Sequence, residues 1–179
     1  MEIHRIEPFL EYFERVHERT RRVIACIPPE HLEWSHKPGA FTFGDLIRHL
    51  GAIERYMFAE NALGRLSRYP GHGPELAEGY DAVLAFFDRM HQESLEIFRS
   101  LTPEDLTRRC ETPGGAELQV WKWLRSMVEH EIHHRGQIYL MLGMLGIATP
   151  PLYGLTSEEV RDRSHPAGED GSRPPDHSE

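Results

Sequence analysis

Apolar residues recur at helical spacing in four long stretches of the chain, separated by polar segments rich in Pro and Gly. The first stretch carries Phe9, Tyr12, Phe13, Val16, Val23, Ile24 and Ile27. It opens at Pro8, whose missing N–H costs nothing in a first helical turn, and stops at Pro28-Pro29. A connection over 30–41, with Pro38-Gly39 in it and Leu32 and Trp34 to pack it, leads to Thr42. Thr42 followed three residues later by Asp45 is a capping-box-like start for a second helix. Its stripe is Leu46, Leu50, Ile53 and Met57, and its end falls near Gly64. At about 100° per residue, His49 lies on the border of that buried face. After a loop over 67–79, a third helix keeps the period through Val83, Phe87, Met90, Ser94, Ile97, Phe98 and Leu101. Thr102-Pro103-Glu104-Asp105 restarts a short turn, and Pro113-Gly114-Gly115 breaks the chain again.

The fourth and longest helix is predicted from Ala116 or Glu117 to about Leu145, with Gly146 as its C-cap. Its stripe runs through Val120, Trp123, Leu124, Met127, Ile138, Met141, Leu142 and Leu145. Between Met127 and Ile138 the same face is carried by Glu131 and His134, with His130 at its edge, while His133 points away. A core-facing side that turns polar for about two turns is where a buried polar site belongs, because burying such groups without partners costs several kcal/mol. Trp121, on the far side from His133, is available to a partner subunit or to pack under the 30–41 connection.

With no internal repeat and no useful strand alternation, four amphipathic segments predict an all-α fold. The expected architecture is a four-helix bundle over 1–156 with long interhelical connections. From Ser157 the chain is rich in Glu, Asp, Ser, Gly and Pro with a single Val, which predicts a disordered tail over 157–179. A length of 179 residues fits one domain with a substantial core.

Charge narrows the function. A formal net charge of −9 argues against a nucleic-acid binder and against docking on an anionic membrane. The two cysteines, Cys26 and Cys110, lack CxxC spacing and suit reduced thiols, although a distant disulfide stays open at this stage. The first residues have neither the basic nor the apolar region of a signal peptide, and no apolar run approaches the roughly 18 residues of a membrane span. The expectation is a soluble, cytoplasmic protein with a small-molecule substrate.

Three of the 12 histidines fall within His130-Glu131-Ile132-His133-His134. On a helix His130 and His134 stack one above the other, so one divalent cation can reach both imidazoles. His49, at the edge of another helix, is a natural third ligand, and three histidines with an open position make a catalytic-type site. A pair of histidines hydrogen-bonded across the core is the competing structural reading. The stretch also matches HExxH, the zinc-protease pattern with Glu131 as general base. Gln137 and Leu140 stand where the longer protease motif needs Gly and His, and Glu158 and Glu159 lie beyond Pro150-Pro151.

The block His130-Glu131-Ile132-His133-His134-Arg135-Gly136-Gln137-Ile138 resembles the last-helix signature of the DinB-like (YfiT-like) metal-dependent enzymes. Phe41-Thr42-Phe43-Gly44-Asp45-Leu46-Ile47-Arg48-His49-Leu50 resembles the start of that family's second helix, with its metal histidine. The resemblance runs in helix order and spacing from Phe9 to Gly146. It implies a four-helix bundle, commonly a homodimer, binding a divalent metal ion, often nickel or zinc. The implied ligands are His49, His130 and His134, with His133 as the adjacent non-ligand. The family's name implies no DNA polymerase activity.

Some members of the wider group resemble thiol S-transferases or isomerases that use bacillithiol, mycothiol or glutathione as cosubstrate. The resulting expectation is a metal-dependent transferase for small electrophiles, with a low-molecular-weight thiol. The alternatives are a metal-dependent hydrolase and a non-enzymatic metal-binding stress-response bundle. Glu131 is a candidate to orient a ligand or relay a proton, against the alternative of pairing with a core arginine.

Overall fold

The computed structural model describes residues 2–164. Its main unit ends at Thr149 and contains four long helical segments. Helix α1 (Ile6–Ile24) buries Phe9, Phe13, Val16, Val23 and Ile24 along one stripe. Helix α2 (Phe43–Ile53) continues through a π-helical turn (Glu54–Phe58) into the short α3 (Ala59–Ala62). Helix α4 spans Tyr80–Arg99, the one-turn α5 spans Pro103–Thr107, and α6 spans Val120–Met144. Among the described residues no helix is long and apolar enough to cross a membrane.

The termini follow local chemistry. Thr42 forms both capping-box bonds: its Oγ1 accepts from Asp45 N at 2.9 Å, and its own N–H donates to Asp45 Oδ2 at 3.0 Å. Helix α6 ends in a Schellman arrangement at Gly146 (φ +70), where Ile147 N donates to Leu142 O and Gly146 N to Gly143 O, both at 3.0 Å. That closure needs the left-handed conformation a glycine adopts without strain.

Packing fixes the topology. Helix α1 lies against α4 and α6, and α2 lies against the same two, so α1 and α2 face each other across the bundle diagonal. Reaching the diagonal position explains the long connection between them, which includes a single 3-10 turn at Pro29–His31. A fully buried guanidinium ties that connection and the next loop to α2. Arg48 donates from Nε to Ala77 O at 2.8 Å, from Nη1 to Asp45 Oδ1 at 3.3 Å, and from Nη2 to Glu33. The apolar core is continuous from Ile6 and Phe13 through Phe98 and Leu106 to Leu124 and Met127. Each fully buried large side chain there stabilises the fold by about 1.5–3 kcal/mol relative to exposure.

Three segments depart from the sequence reading. Residues Arg109–Glu111 (β1) and Glu117–Gln119 (β2) pair antiparallel, with Cys110 opposite Leu118, so α6 starts at Val120 and not at Ala116 or Glu117. Strands of three residues are too short to show an alternating pattern. Trp121 packs into the chain's own core, its Nε1 donating to Gln119 Oε1 at 3.1 Å. The second unit, from Pro150, holds helix α7 (Ser157–Ser164) where the sequence predicts disorder. The reason is a further capping box: Thr156 N donates to Glu159 Oε2 at 2.7 Å and Glu159 N donates to Thr156 Oγ1 at 3.2 Å. The rest of the expected tail, 165–179, lies outside the described residues.

Candidate metal centre

Helical phasing on α6 puts Glu131, His134 and Arg135 on the buried face with His130 at its edge, and leaves His133 exposed. His130 Nε2 lies 3.1 Å from His134 Nε2 and 3.1 Å from His49 Nε2 on α2. One ligand atom from each of these histidines lies within 4.8 Å of the others. Tetrahedral zinc with Zn–N of 2.0–2.1 Å spaces two ligand nitrogens about 3.3 Å apart, so the observed separations suit a shared cation.

Protons on the outer nitrogens sharpen the fit. His134 Nδ1 is 2.7 Å from Gln137 Oε1, a pure acceptor, so Nδ1 carries the proton and Nε2 of the neutral ring presents its lone pair inward. His49 Nδ1 is 2.7 Å from Tyr69 Oη, whose hydroxyl is in turn 3.3 Å from His72 Nδ1. With His49 Nδ1 donating to Tyr69 and Tyr69 donating to His72, a second inward lone pair faces His130 Nε2. A single His130 N–H satisfies at most one of the two, whereas a cation satisfies all three rings. Hydrogen bonds of this kind on the outer nitrogen of a ligand histidine fix its tautomer and orientation.

The electrostatics favour the neutral rings a metal requires. Burial, then the neighbouring imidazoles of His134, His130 and His72, push His49 down to about 3. Burial, then His134 and His133, bring His130 down to about 4. Burial also lowers His134, against the opposing hydrogen bond to Gln137. An apolar cavity of about 410 Å³, lined by Phe41, Leu46, Gln137, Leu140, Met141 and Met144 among others but by none of the three histidines, adjoins the site through Phe41 and Gln137. The Phe41 ring joins cavity to site, 5.7 Å from the ring of His49 and 6.5 Å from that of His134.

The structure thus brings His49, His130 and His134 together and turns the Glu131 carboxylate toward α1, still near enough to His130 to oppose the lowering of its pKa. The Glu131 carboxylate accepts from Thr20 Oγ1 on α1, and its Oε1 lies 3.8 Å from His17 Nδ1. Nor does it salt-bridge the nearby core arginine, since Arg135 donates to Val16 O at 3.1 Å and to Thr20 Oγ1 at 3.5 Å. This geometry does not supply the HExxH protease arrangement, and the two-stranded hairpin is the one sheet among the described residues. The sequence gives no role to Tyr69 or His72, and carries Phe41 and Gln137 only as members of the two family-like blocks. The first two sit in an aperiodic loop that carries no signal of where it folds back. Gln137 was detectable, being three residues after His134 on the same helix.

An all-α bundle with three convergent histidines defines a four-helix protein with a candidate metal site. More specifically, the chain belongs to the DinB superfamily, whose model matches residues 12–138. Its fold is that of a DinB-like protein from Bacillus cereus, with a TM-score of 0.69 at 21% identity, covering 83% of this chain and 97% of that one. A DinB-like protein from Bacillus subtilis gives a TM-score of 0.66 at 18% identity over 82% and 97%. YfiT from Bacillus subtilis, described as a probable metal-dependent hydrolase with an unusual four-helix bundle topology, gives 0.61 at 17% identity over 83% and 91%. No curated protein matches the chain.

Proposed function

We propose that this protein is a divalent-metal-dependent enzyme of the thiol S-transferase type, acting on small apolar electrophiles, with nickel or zinc held by His49, His130 and His134. The observation that carries the reading is the convergence of three neutral imidazoles beside an apolar cavity. The bound cation would act as a Lewis acid on a group in its open position, bringing that group's pKa toward neutrality.

The chain's own residues supply the rest. Gln137 and Tyr69 hold two of the rings in the ligating tautomer. Phe41, Leu46 and Met141 give the electrophile an apolar seat and keep water from it. Among the described residues, those in hydrogen-bond or ring contact with the triad are Phe41, Phe58, Tyr69, His72, His133 and Gln137, none of them a carboxylate. Attack by water calls for a general base to take its proton, whereas a thiol, with an ordinary pKa of about 8.5, needs far less help. Homodimer formation belongs to the same proposal, with Leu140 and Met144 exposing apolar surface at the cavity rim.

One observation favours hydrolysis as a second reading: His72, half-buried and linked through Tyr69 to His49, is a base within reach of the site. The likeness in fold to YfiT agrees with it. Nickel- or zinc-loaded protein assayed with monochlorobimane and, in turn, bacillithiol, mycothiol and glutathione tests the first reading. Thiol-dependent conjugation that His130→Ala abolishes is the expected result. Ester or amide turnover without thiol would establish the second reading, and loaded protein inactive in both assays would overturn both.

A further inference from the structure

One buried residue from each of four walls meets at the bundle axis: His17 of α1, Glu54 of the π turn, His91 of α4 and Glu131 of α6. Each is only 4% exposed. His91 Nδ1 lies 3.0 Å from Glu54 Oε1. The ring of His17 lies parallel on that of His91 with centroids 3.5 Å apart. Phe87 and Phe13 flank the pair, 4.6 Å from His17 and 5.1 Å from His91. Rings stacked face to face cannot aim their in-plane lone pairs at one cation, so the chemistry left to this pair is protonation. We propose that His91 and Glu54 form a proton-dependent clamp, which holds the π turn to α4 and slackens when His91 loses its charge.

The surrounding groups favour a cation on His91. Glu54 faces it from the π turn, Glu14 and His17 from α1, and Glu131 from α6. Burial by itself lowers an imidazole. The charge and hydrogen bond of Glu54, then the charges of Glu131 and Glu14, outweigh that and raise His91 above the ordinary 6.5. Other cations nearby are engaged elsewhere. Arg135 donates to Val16 O and Thr20 Oγ1, and Arg55 pairs with Glu60 and Glu93. His91 is therefore the counter-charge of Glu54, and its neutralisation leaves a core carboxylate without one. A crevice of about 300 Å³ between α1 and α4 reaches both imidazoles and gives the proton a way to solvent. It adds Glu18, and Arg21 held by Asp88 at 2.8 Å.

The clamp grips a particular segment. Glu54 is the first residue of the five-residue π turn, where the helix departs from its 3.6-residue period. Arg55 ties the same turn to Glu93 of α4 at 3.1 Å, but an Arg–Glu pair keeps its charges throughout the neutral range. The buried His91–Glu54 tie is the one that responds there. An unfolded imidazole titrates near 6.5, and the folded value lies above it. The contribution of the clamp is therefore complete below about pH 6.5 and is lost as pH rises through the folded midpoint.

NMR on the isotope-labelled full chain, treated with chelator, tests this. The His91 ring, assigned by through-bond correlation, is expected to titrate above pH 6.5. In Glu54→Gln its proton affinity should fall at least about tenfold, the equivalent of one pH unit. Urea melts read the consequence. The folding equilibrium constant of wild type should drop by up to about tenfold per pH unit between 6.5 and the His91 midpoint. In His91→Phe that drop should be absent. A His91 midpoint at or below 6.5, or wild-type stability that does not fall across the midpoint, overturns the proposal. Both are wild-type readings and stand even where a variant fails to fold. Neither metal nor thiol takes part, so failure here is distinguishable from failure of the transferase reading.

Discussion

Gln137 accepts the Nδ1 proton of His134 at 2.7 Å and stands 3.2 Å from His133 Nε2 through its own amide nitrogen. One amide therefore orients a candidate ligand on one side and is itself oriented by an exposed histidine on the other. Loss of such an outer-shell partner typically weakens metal binding by about 10–100-fold. Gln137→Leu is expected to lower zinc affinity on that scale in a competition titration with a fluorescent chelator. Gln137→Glu, which keeps an acceptor, should retain it.

The depressed histidines set the pH response of the metal-free fold. Unfolded imidazoles titrate near 6.5, whereas His49 and His130 hold out to about 3 and about 4. Between those values the unfolded chain binds more protons than the folded one, so stability falls as pH falls. Chelator-treated protein should lose stability progressively from about pH 6.5 toward pH 4, read by urea melts at fixed pH. His49→Ala/His130→Ala should flatten that slope.

Arg48 is a stability residue placed beside a ligand. Its guanidinium holds Glu33 of one connection and Ala77 O of another against α2. Arg48→Met removes several charge-assisted bonds, each worth roughly 1.5–3 kcal/mol. A cost at the level of at least one such bond should appear as a lower urea midpoint. Zinc affinity should fall too, since the Glu33 tie holds the connection that carries Phe41 and the Ala77 tie holds the loop that carries Tyr69.

The cavity should read substrate apolarity. Met141→Ala removes part of the wall beside Phe41 and Leu46 without touching a candidate ligand. A missing contact of this kind is worth about 1–3 kcal/mol to an apolar substrate. KM for an apolar electrophile should rise, and metal content should stay at the wild-type level by elemental analysis.

How far the sequence reached depends on whether a feature is local. The capping box at Thr42 and the Gly146 closure each sit within a few residues, and both formed as the sequence predicts. The polar break in the α6 stripe at Glu131 and His134 was legible because helical phase is a one-dimensional property. The convergence of His49 with that break followed from two blocks of residues and the family likeness they carry. Other features depended on tertiary placement. Tyr69 and His72 come from an aperiodic loop that Arg48 pins through Ala77 O, a contact across 29 positions. The π turn at Glu54 breaks the 3.6-residue period that the reading assumed. His17 was readable in principle, as a polar residue on the apolar stripe of α1, by the same argument that exposed His134. At helix α7 the local Thr156–Glu159 capping box prevails over a composition typical of disorder.

The central claim is that His49, His130 and His134 hold one divalent cation. Anomalous diffraction at the zinc or nickel edge, from crystals of the metal-loaded protein, tests it most directly. The account predicts a peak about 2.0–2.1 Å from the Nε2 atoms of all three histidines, with at least one position left to a non-protein ligand. A loaded crystal with no peak within bonding distance of those three nitrogens would contradict it.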